Sequence, residues 1–259
     1  PDDVSFDDVF LRSFKQSPFE YTSCEDIRSD KDFREFMRKA RDQFEHIKRV
    51  IRDDFPKRGI DVDHCTLEPS FFSEKFGFQG RLDLLHMHPD EADTKIVELK
   101  SGKLPFPTYN KGKIALNHEV QTAVYRMMVE SVFGKDARQV DAAILYSAGN
   151  EPGENLRFAA VYKELEKKII HLRNRIVAIE HAIIHGDNNQ VEELFDALCG
   201  PVDPSQRLPG FYLQKLEQIR TVLSQSSELE GAWLYRYIRF ISRELYLQKT
   251  GDVEYETPT

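Results

Sequence analysis

Glu98 and Lys100 close the apolar run Ile96-Val97-Glu98-Leu99-Lys100 and are the residues of this chain best suited to do chemistry. The run reads as a buried strand, and a strand's period of two puts both side chains on one face. A carboxylate and an ammonium buried side by side cost free energy unless each has a partner. Asp83, which closes Gly80-Arg81-Leu82-Asp83, ends an earlier strand-like run and can reach the same point. Two acids and a lysine at one spot match the needs of metal-assisted phosphodiester hydrolysis. Carboxylates hold a hard divalent cation through oxygen. The cation activates water and neutralises charge on the phosphate. A structural Glu–Lys pair on an edge strand is the plainer alternative, because E-x-K triplets are common.

The elements that must position these residues follow from periodicity. Phe33, Phe36, Met37, Ala40, Phe44, Ile47, Val50 and Ile51 recur at helical spacing and predict a helix over residues 30–54, ended by Pro56 and Gly59. Strand-like runs over 65–75, 77–88 and 94–101 read as an antiparallel meander. The segment 103–113 reads as a loop carrying three lysines. A helix over 116–133, stopped by Gly134, places His118, Gln121 and Tyr125 on one face and leaves Val120, Ala123, Val124 and Met127 to pack on the sheet. A further strand is expected over 139–147. Gly149, Pro152 and Gly153 mark a boundary, so 1–150 and 151–259 are expected to be a mixed core and an all-helical extension. In that extension Phe158, Tyr162, Leu165, Ile169, Leu172, Ile176, Ile179 and Ile183 form a 3.5-residue stripe, predicting a helix about 40 Å long. Two shorter amphipathic helices after it are the expected packing partners of the stripe.

Composition bounds the function. Charged residues are 31% and hydrophobic ones 40%, as in a globular chain, and no apolar run is long enough to span a membrane. The net charge of −8 excludes a strongly basic coat for nucleic acid but leaves room for a local basic groove. Arg81, Lys103, Lys111 and Lys113, with His118, are the candidates for such a DNA-gripping rim. Cys24, Cys65 and Cys199 form no C-x-x-C pair, which argues against a zinc site and fits a reducing cytoplasm. The Pro1 start, the lack of a signal-peptide pattern and the abrupt end after Gly251-Asp252-Val253-Glu254-Tyr255 are expected of an excised module.

Taken together, Gly80-x-x-Asp83, Glu98-x-Lys100 with Ser-Gly-Lys after it, and His118-x-x-Gln121-x-x-x-Tyr125 resemble the RecB-like branch of the PD-(D/E)xK nuclease superfamily. CRISPR-associated RecB-like exonucleases and the nuclease domains of replication helicase–nucleases look most similar. The resemblance covers roughly residues 30–147. It implies an α/β (α+β) fold, with a restriction-endonuclease-like mixed sheet flanked by helices and a C-terminal all-helical extension. It implies Mg²⁺ or Mn²⁺ held by Asp83, Glu98 and the Leu99 carbonyl, with His46 as an upstream ligand and Glu45 or Glu68 as alternatives. Lys100 would orient or activate the attacking water, and Gln121 and Tyr125 would position Lys100 and the DNA backbone. Leu82 stands where the superfamily's eponymous proline is found. Many relatives also carry a four-cysteine iron–sulfur cluster, and three isolated cysteines cannot supply it, so no cluster is expected.

The resemblance implies a deoxyribonuclease acting on single strands or DNA ends, cytoplasmic and nucleoid-associated in a bacterium, as one module of a larger helicase–nuclease. The alternative is a nuclease fold that has lost catalysis and binds DNA or a partner protein. Intact Asp83, Glu98 and Lys100 favour the enzyme, since an idle copy gains nothing from keeping such costly charges.

Overall fold

The computed structural model describes residues 4–89, 93–106, 110, 112–150, 153–160, 162–201 and 210–250. The strand-like runs are cut into more pieces than their hydrophobicity predicts. Before residue 90 there are four short strands: β1 (Cys65–Leu67), β2 (Ser70–Ser73), β3 (Phe78–Arg81) and β4 (Leu84–Met87). Then come β5 (Thr94–Lys100), β6 (Val140–Tyr146) and β7 (Leu156–Phe158). β1, β4, β5, β6 and β7 make one sheet in that order, while β2 and β3 leave it as a separate antiparallel pair. The meander is therefore broken at two seams, Glu68–Pro69 and Leu82–Asp83. Proline lacks the N–H a central ladder needs, and Glu68 adopts the left-handed region at φ 51°. The seams are tied together by Glu68 N–H to Asp83 O and Leu82 N–H to Pro69 O, both 3.0 Å.

β5 and β6 are the long, buried strands and pair in parallel, with Glu98 beside Ile144 and Lys100 beside Tyr146. Parallel neighbours need a long crossover, and α4 (Leu116–Phe133) supplies it, with the bounds its sequence predicts. Alternation along the strands divides the core. Leu82, Leu85, Ile96, Val129, Val140 and Ala142 pack on the α4 face, and Val97, Ala143 and Leu145 pack with Val50, Phe55 and Ile60 on the other.

The second face is covered by α3 (Asp30–Arg49), capped by Ser29 and continued by a π-helical turn, Val50–Asp54. That matches the helix expected over 30–54. The opening residues, which show no clear period, form α1 (Phe6–Gln16) and α2 (Pro18–Thr22). α1 seats the Phe6 ring 5.8 Å from Phe44 of α3.

Packing divides the chain into two compact units, residues 1–169 and 170–259. β7 lies past the Gly149–Gly153 linker, where the sequence reading expects only helix, because three residues are too few to display a strand period. The stripe is corrected too. Phe158 sits in β7, and the helix α5 spans Lys163–His185. Ile169 is buried, but Leu172 and Ile176 are exposed rather than covered by the later helices. In the second unit an element that the sequence reading passes over, α6 (Asn188–Cys199), packs with both α7 (Gly210–Gln225) and α8 (Glu228–Thr250). Among the described residues no helix is long and apolar enough to cross a membrane.

Ile96 is fully buried between β4, β6 and α4. Truncating it leaves a cavity that close-packed neighbours cannot fill. Ile96→Ala should cost about 2–5 kcal/mol of stability, read as a lower urea midpoint at an unchanged denaturant slope.

Candidate active site

Glu98 reaches the active face because β5 alternates: Ile96, Glu98 and Lys100 face α4, while Val97 faces α3. Its side chain is 5% exposed. Oε1 accepts from Lys100 Nζ at 2.7 Å and from Gln121 Nε2 at 2.5 Å. Oε2 is buried with no hydrogen-bond partner among the described residues. Burial raises the Glu98 pKa above the ordinary glutamate value, the bond from Lys100 opposes that, and the charge of Asp83 raises it further.

α4 sets the partners of Glu98. Gln121 also donates to Tyr125 Oη at 3.1 Å, and Tyr125 donates to the Arg81 carbonyl at 2.9 Å. The tyrosine comes this close because residue 80 has no side chain: a Cβ on Gly80 would lie 3.0 Å from Tyr125 Cε1. A side chain three residues before Asp83 would thus press on the tyrosine ring, which would have to shift by a few tenths of an ångström. Asp83 stands at the seam between the two sheets, and its Oδ2 accepts from Leu99 N–H at 2.7 Å. Asp83, Glu98, Leu99, Lys100, Gln121 and Tyr125 therefore belong to one bonded network, which runs through the Arg81 backbone.

The remaining candidates divide. His46 of α3 places Nδ1 2.8 Å from the Ser147 carbonyl. A carbonyl can only accept, so Nδ1 carries a proton, and in the neutral ring Nε2 keeps the lone pair. Ser147 in turn donates its N–H to the Lys100 carbonyl at 3.0 Å and its hydroxyl to Gln43 Oε1 at 2.6 Å. His118 sits with Nδ1 2.8 Å from Tyr146 Oη. Burial and then the charge of Lys100 lower its pKa. Arg81 is exposed and pairs with Glu68 at 3.3 Å. Lys103 and Lys113 are exposed, Glu45 is exposed on α3, and Lys111 lies outside the described residues. Gln43, Ser147, Tyr146 and Arg157 escape the sequence reading. A buried charge between two apolar residues, Leu156-Arg157-Phe158, is the signal that could have found Arg157.

The donor set is one that a hard cation uses. Among the described residues no three His, Cys, Asp or Glu side chains are gathered into a ready-made cage. Magnesium does not require one, since it keeps several waters and takes one or two carboxylates together with substrate phosphate. The partnerless Glu98 Oε2, beside a second carboxylate, fits that requirement.

The family model described as "PD-(D/E)XK nuclease superfamily" matches residues 5–230. The chain belongs to the PD-(D/E)XK nuclease superfamily. The match includes every candidate residue above and continues through α6 and α7. Membership makes a nucleic acid the substrate class, and nucleases of this superfamily generally use divalent metals. A crystal structure described as a "Putative exonuclease" from Eubacterium rectale is similar over 66% of this chain and 64% of that one, at 17% identity and a TM-score of 0.36. No curated protein matches.

The raised Glu98 pKa fixes the sign of a pH effect in the metal-free protein. Between the ordinary value of 4.5 and the raised one, the folded state binds more protons than the unfolded state. In chelator, the Glu98 contribution to stability should therefore fall as pH rises through this window. Glu98→Gln, which cannot ionise, should flatten that part of the profile. Urea midpoints measured across the window for both proteins check this, and identical profiles would count against it.

Proposed function

We propose that the chain is a divalent-metal-dependent deoxyribonuclease of the RecB-like branch that hydrolyses phosphodiester bonds in single-stranded DNA or at DNA ends. We further assign it to the cytoplasm, on the nucleoid in a bacterial cell, as the nuclease module of a larger helicase–nuclease. In this reading residues 1–150 carry the catalytic groups.

One observation carries the reading. Glu98 keeps one oxygen saturated by Lys100 and Gln121 and the other buried and, among the described residues, partnerless. A buried carboxylate oxygen without a partner is costly, and a cation removes the cost. Asp83, Glu98 and the Leu99 carbonyl would hold Mg²⁺ or Mn²⁺, with His46 as the further ligand. A histidine that donates one ring nitrogen to a carbonyl offers the other to a metal, a common arrangement around metal sites. When bound, the ion neutralises phosphate charge and lowers the pKa of water.

The chain's own groups do the rest. The Lys100 ammonium has three donors, and the bond to Glu98 occupies one. The others hold the attacking water and a phosphate oxygen. Gln121 and Tyr125 lock the Glu98 carboxylate against the Arg81 backbone. Arg81, Lys103, Lys111 and Lys113, with His118, grip the DNA backbone. The Arg81–Glu68 pair is exposed and so contributes little, which leaves Arg81 available to phosphate.

Cleavage of end-labelled DNA should require Mg²⁺ or Mn²⁺ and stop in chelator. Asp83→Ala and Glu98→Ala should each lower turnover by at least about a hundredfold while the fold is retained. Lys100→Ala should lose turnover but keep DNA binding. Full activity in Asp83→Ala, or wild-type turnover in Lys100→Arg, would overturn these assignments. Binding without cleavage in the wild type would indicate an idle nuclease fold.

Four phosphate contacts from the basic rim should give a log–log slope of affinity against salt of about −3 on a single strand, despite the acidic net charge. Filter binding between low and moderate salt measures it, and a flat dependence would remove the rim from the DNA interface.

A further inference from the structure

Tyr146 is the last residue of β6, fully buried, and the register partner of Lys100 on the parallel strand β5. Its hydroxyl accepts from the Ala115 N–H at 3.3 Å and lies 2.8 Å from Nδ1 of His118. A phenol has one proton to give. Ala115 N–H is itself a donor, so among the described residues the acceptor left for that proton is His118 Nδ1. The opposite arrangement, with Nδ1–H donating to the phenol, would leave the phenol proton unmatched inside the core, and buried donors are rarely left so. The hydrogen-bond inventory thus puts the ring proton on Nε2.

Arg157 holds this arrangement from behind. Only 2% exposed on β7, it lays its guanidinium 5.2 Å from the centre of the Tyr146 ring. It donates to the carbonyls of Glu154 at 2.9 Å, Asn110 at 3.5 Å, and Lys113. Asn110 and Lys113 belong to the segment that leads into α4 and delivers both Ala115 and His118. One buried arginine therefore fixes the tyrosine ring and the start of the helix that meets it.

We propose that Tyr146 is a positioning residue that holds His118 as the Nε2–H tautomer, so that the ring donates to a non-bridging phosphate oxygen beside Lys100, and that Arg157 keeps Tyr146 and the start of α4 in register. The proposal rests on the nuclease reading and adds to it the protonation state of one contact. His118 is then a neutral donor, distinct from the charged lysines of the rim. Burial and the Lys100 charge work in the same direction, since both disfavour the imidazolium. His46 holds the opposite tautomer against the Ser147 carbonyl. The two histidines therefore divide into one lone-pair donor and one proton donor.

The test uses the whole chain labelled with ¹⁵N-histidine, in metal-free buffer, with long-range ¹H–¹⁵N spectra and His118 assigned through His118→Gln. The wild type should show the Nε2–H pattern. Tyr146→Phe, which removes one oxygen and keeps the ring, should shift His118 towards a tautomer mixture. In cleavage of a labelled single-stranded oligonucleotide, a hydrogen bond made equally in ground and transition states affects KM alone. Tyr146→Phe should accordingly raise KM by the reciprocal of the Nε2–H fraction that remains, about twofold for an equal mixture, with kcat unchanged. Arg157→Lys should raise KM less than Arg157→Met, which would not follow if the arginine only filled space. An Nδ1–H His118 in the wild type overturns the proposal whether or not Tyr146→Phe folds, and so does an unchanged tautomer and KM in a folded Tyr146→Phe. The spectra need no turnover. An inactive chain with Nε2–H His118 would reject the nuclease reading and keep the tautomer, and an active chain with Nδ1–H would do the reverse.

Discussion

Glu98 is an ionisable side chain nearly sealed from water, set beside the buried Ile96 and Val97 of its strand, and that burial constrains most of what surrounds it. A carboxylate in that position needs donors from nearby elements. Lys100 supplies one from the same strand face and Gln121 another from the crossover helix. Gln121 is held in turn by Tyr125, whose hydroxyl is anchored on the backbone beside Asp83. Four hydrogen bonds in series thus tie β5, α4 and the end of β3 together. The network still leaves Glu98 Oε2 without a partner among the described residues. A fold under selection for stability alone would have matched or removed that oxygen, because a half-satisfied buried network is worse than an apolar one.

Parallel pairing of β5 with β6 decides which further residues join the site. Antiparallel partners can be joined by a tight hairpin, but parallel ones require the long return that α4 makes. That return carries His118, Gln121 and Tyr125 over the ends of both strands. In this register Lys100 lies beside Tyr146, so the last residue of β6 comes to lie beneath the first turn of α4. Asp83 arrives by a different route. The β2–β3 pair peels away from the main sheet at Glu68–Pro69 and Leu82–Asp83, and the carboxylate sits where the ladder is interrupted. An interrupted ladder leaves the Leu99 N–H in need of an acceptor, and Asp83 supplies it.

Much of this was legible in the residues. Alternation placed Glu98 and Lys100 on one face, and i, i+3, i+7 spacing placed His118, Gln121 and Tyr125 on one side of a helix whose limits were read to the residue. Long elements with a strong period are the readable ones. The reading failed where the period is too short to count. β7 is three residues long, and the breaks that split the meander depend on one left-handed glutamate, which composition does not reveal, and on Pro69, which the expected run over 65–75 passes through. The stripe through α5 failed for another reason. A 3.5-residue repeat shows that one face is apolar but not which element covers it, and α6 took the partners that had been expected for the stripe. Tyr146 and Arg157 look like ordinary core residues in sequence, since their importance lies in atoms reached across 28 residues for the tyrosine and 44 for the arginine.

The chemistry of the two histidines follows from the same strand ends. At the end of β6, Ser147 offers His46 a carbonyl, which can only accept, and Tyr146 offers His118 a hydroxyl whose one proton has no other taker among the described residues. Consecutive residues thereby fix opposite tautomers on two helices that cover opposite faces of the sheet. Neither histidine has to be charged for this. A lone pair suits a cation and an N–H suits a phosphate oxygen, so the strand end sorts the two rings by what each would have to bind. The sorting requires only that β6 end where it does, with its final tyrosine buried and the carbonyl of the following serine free to meet His46.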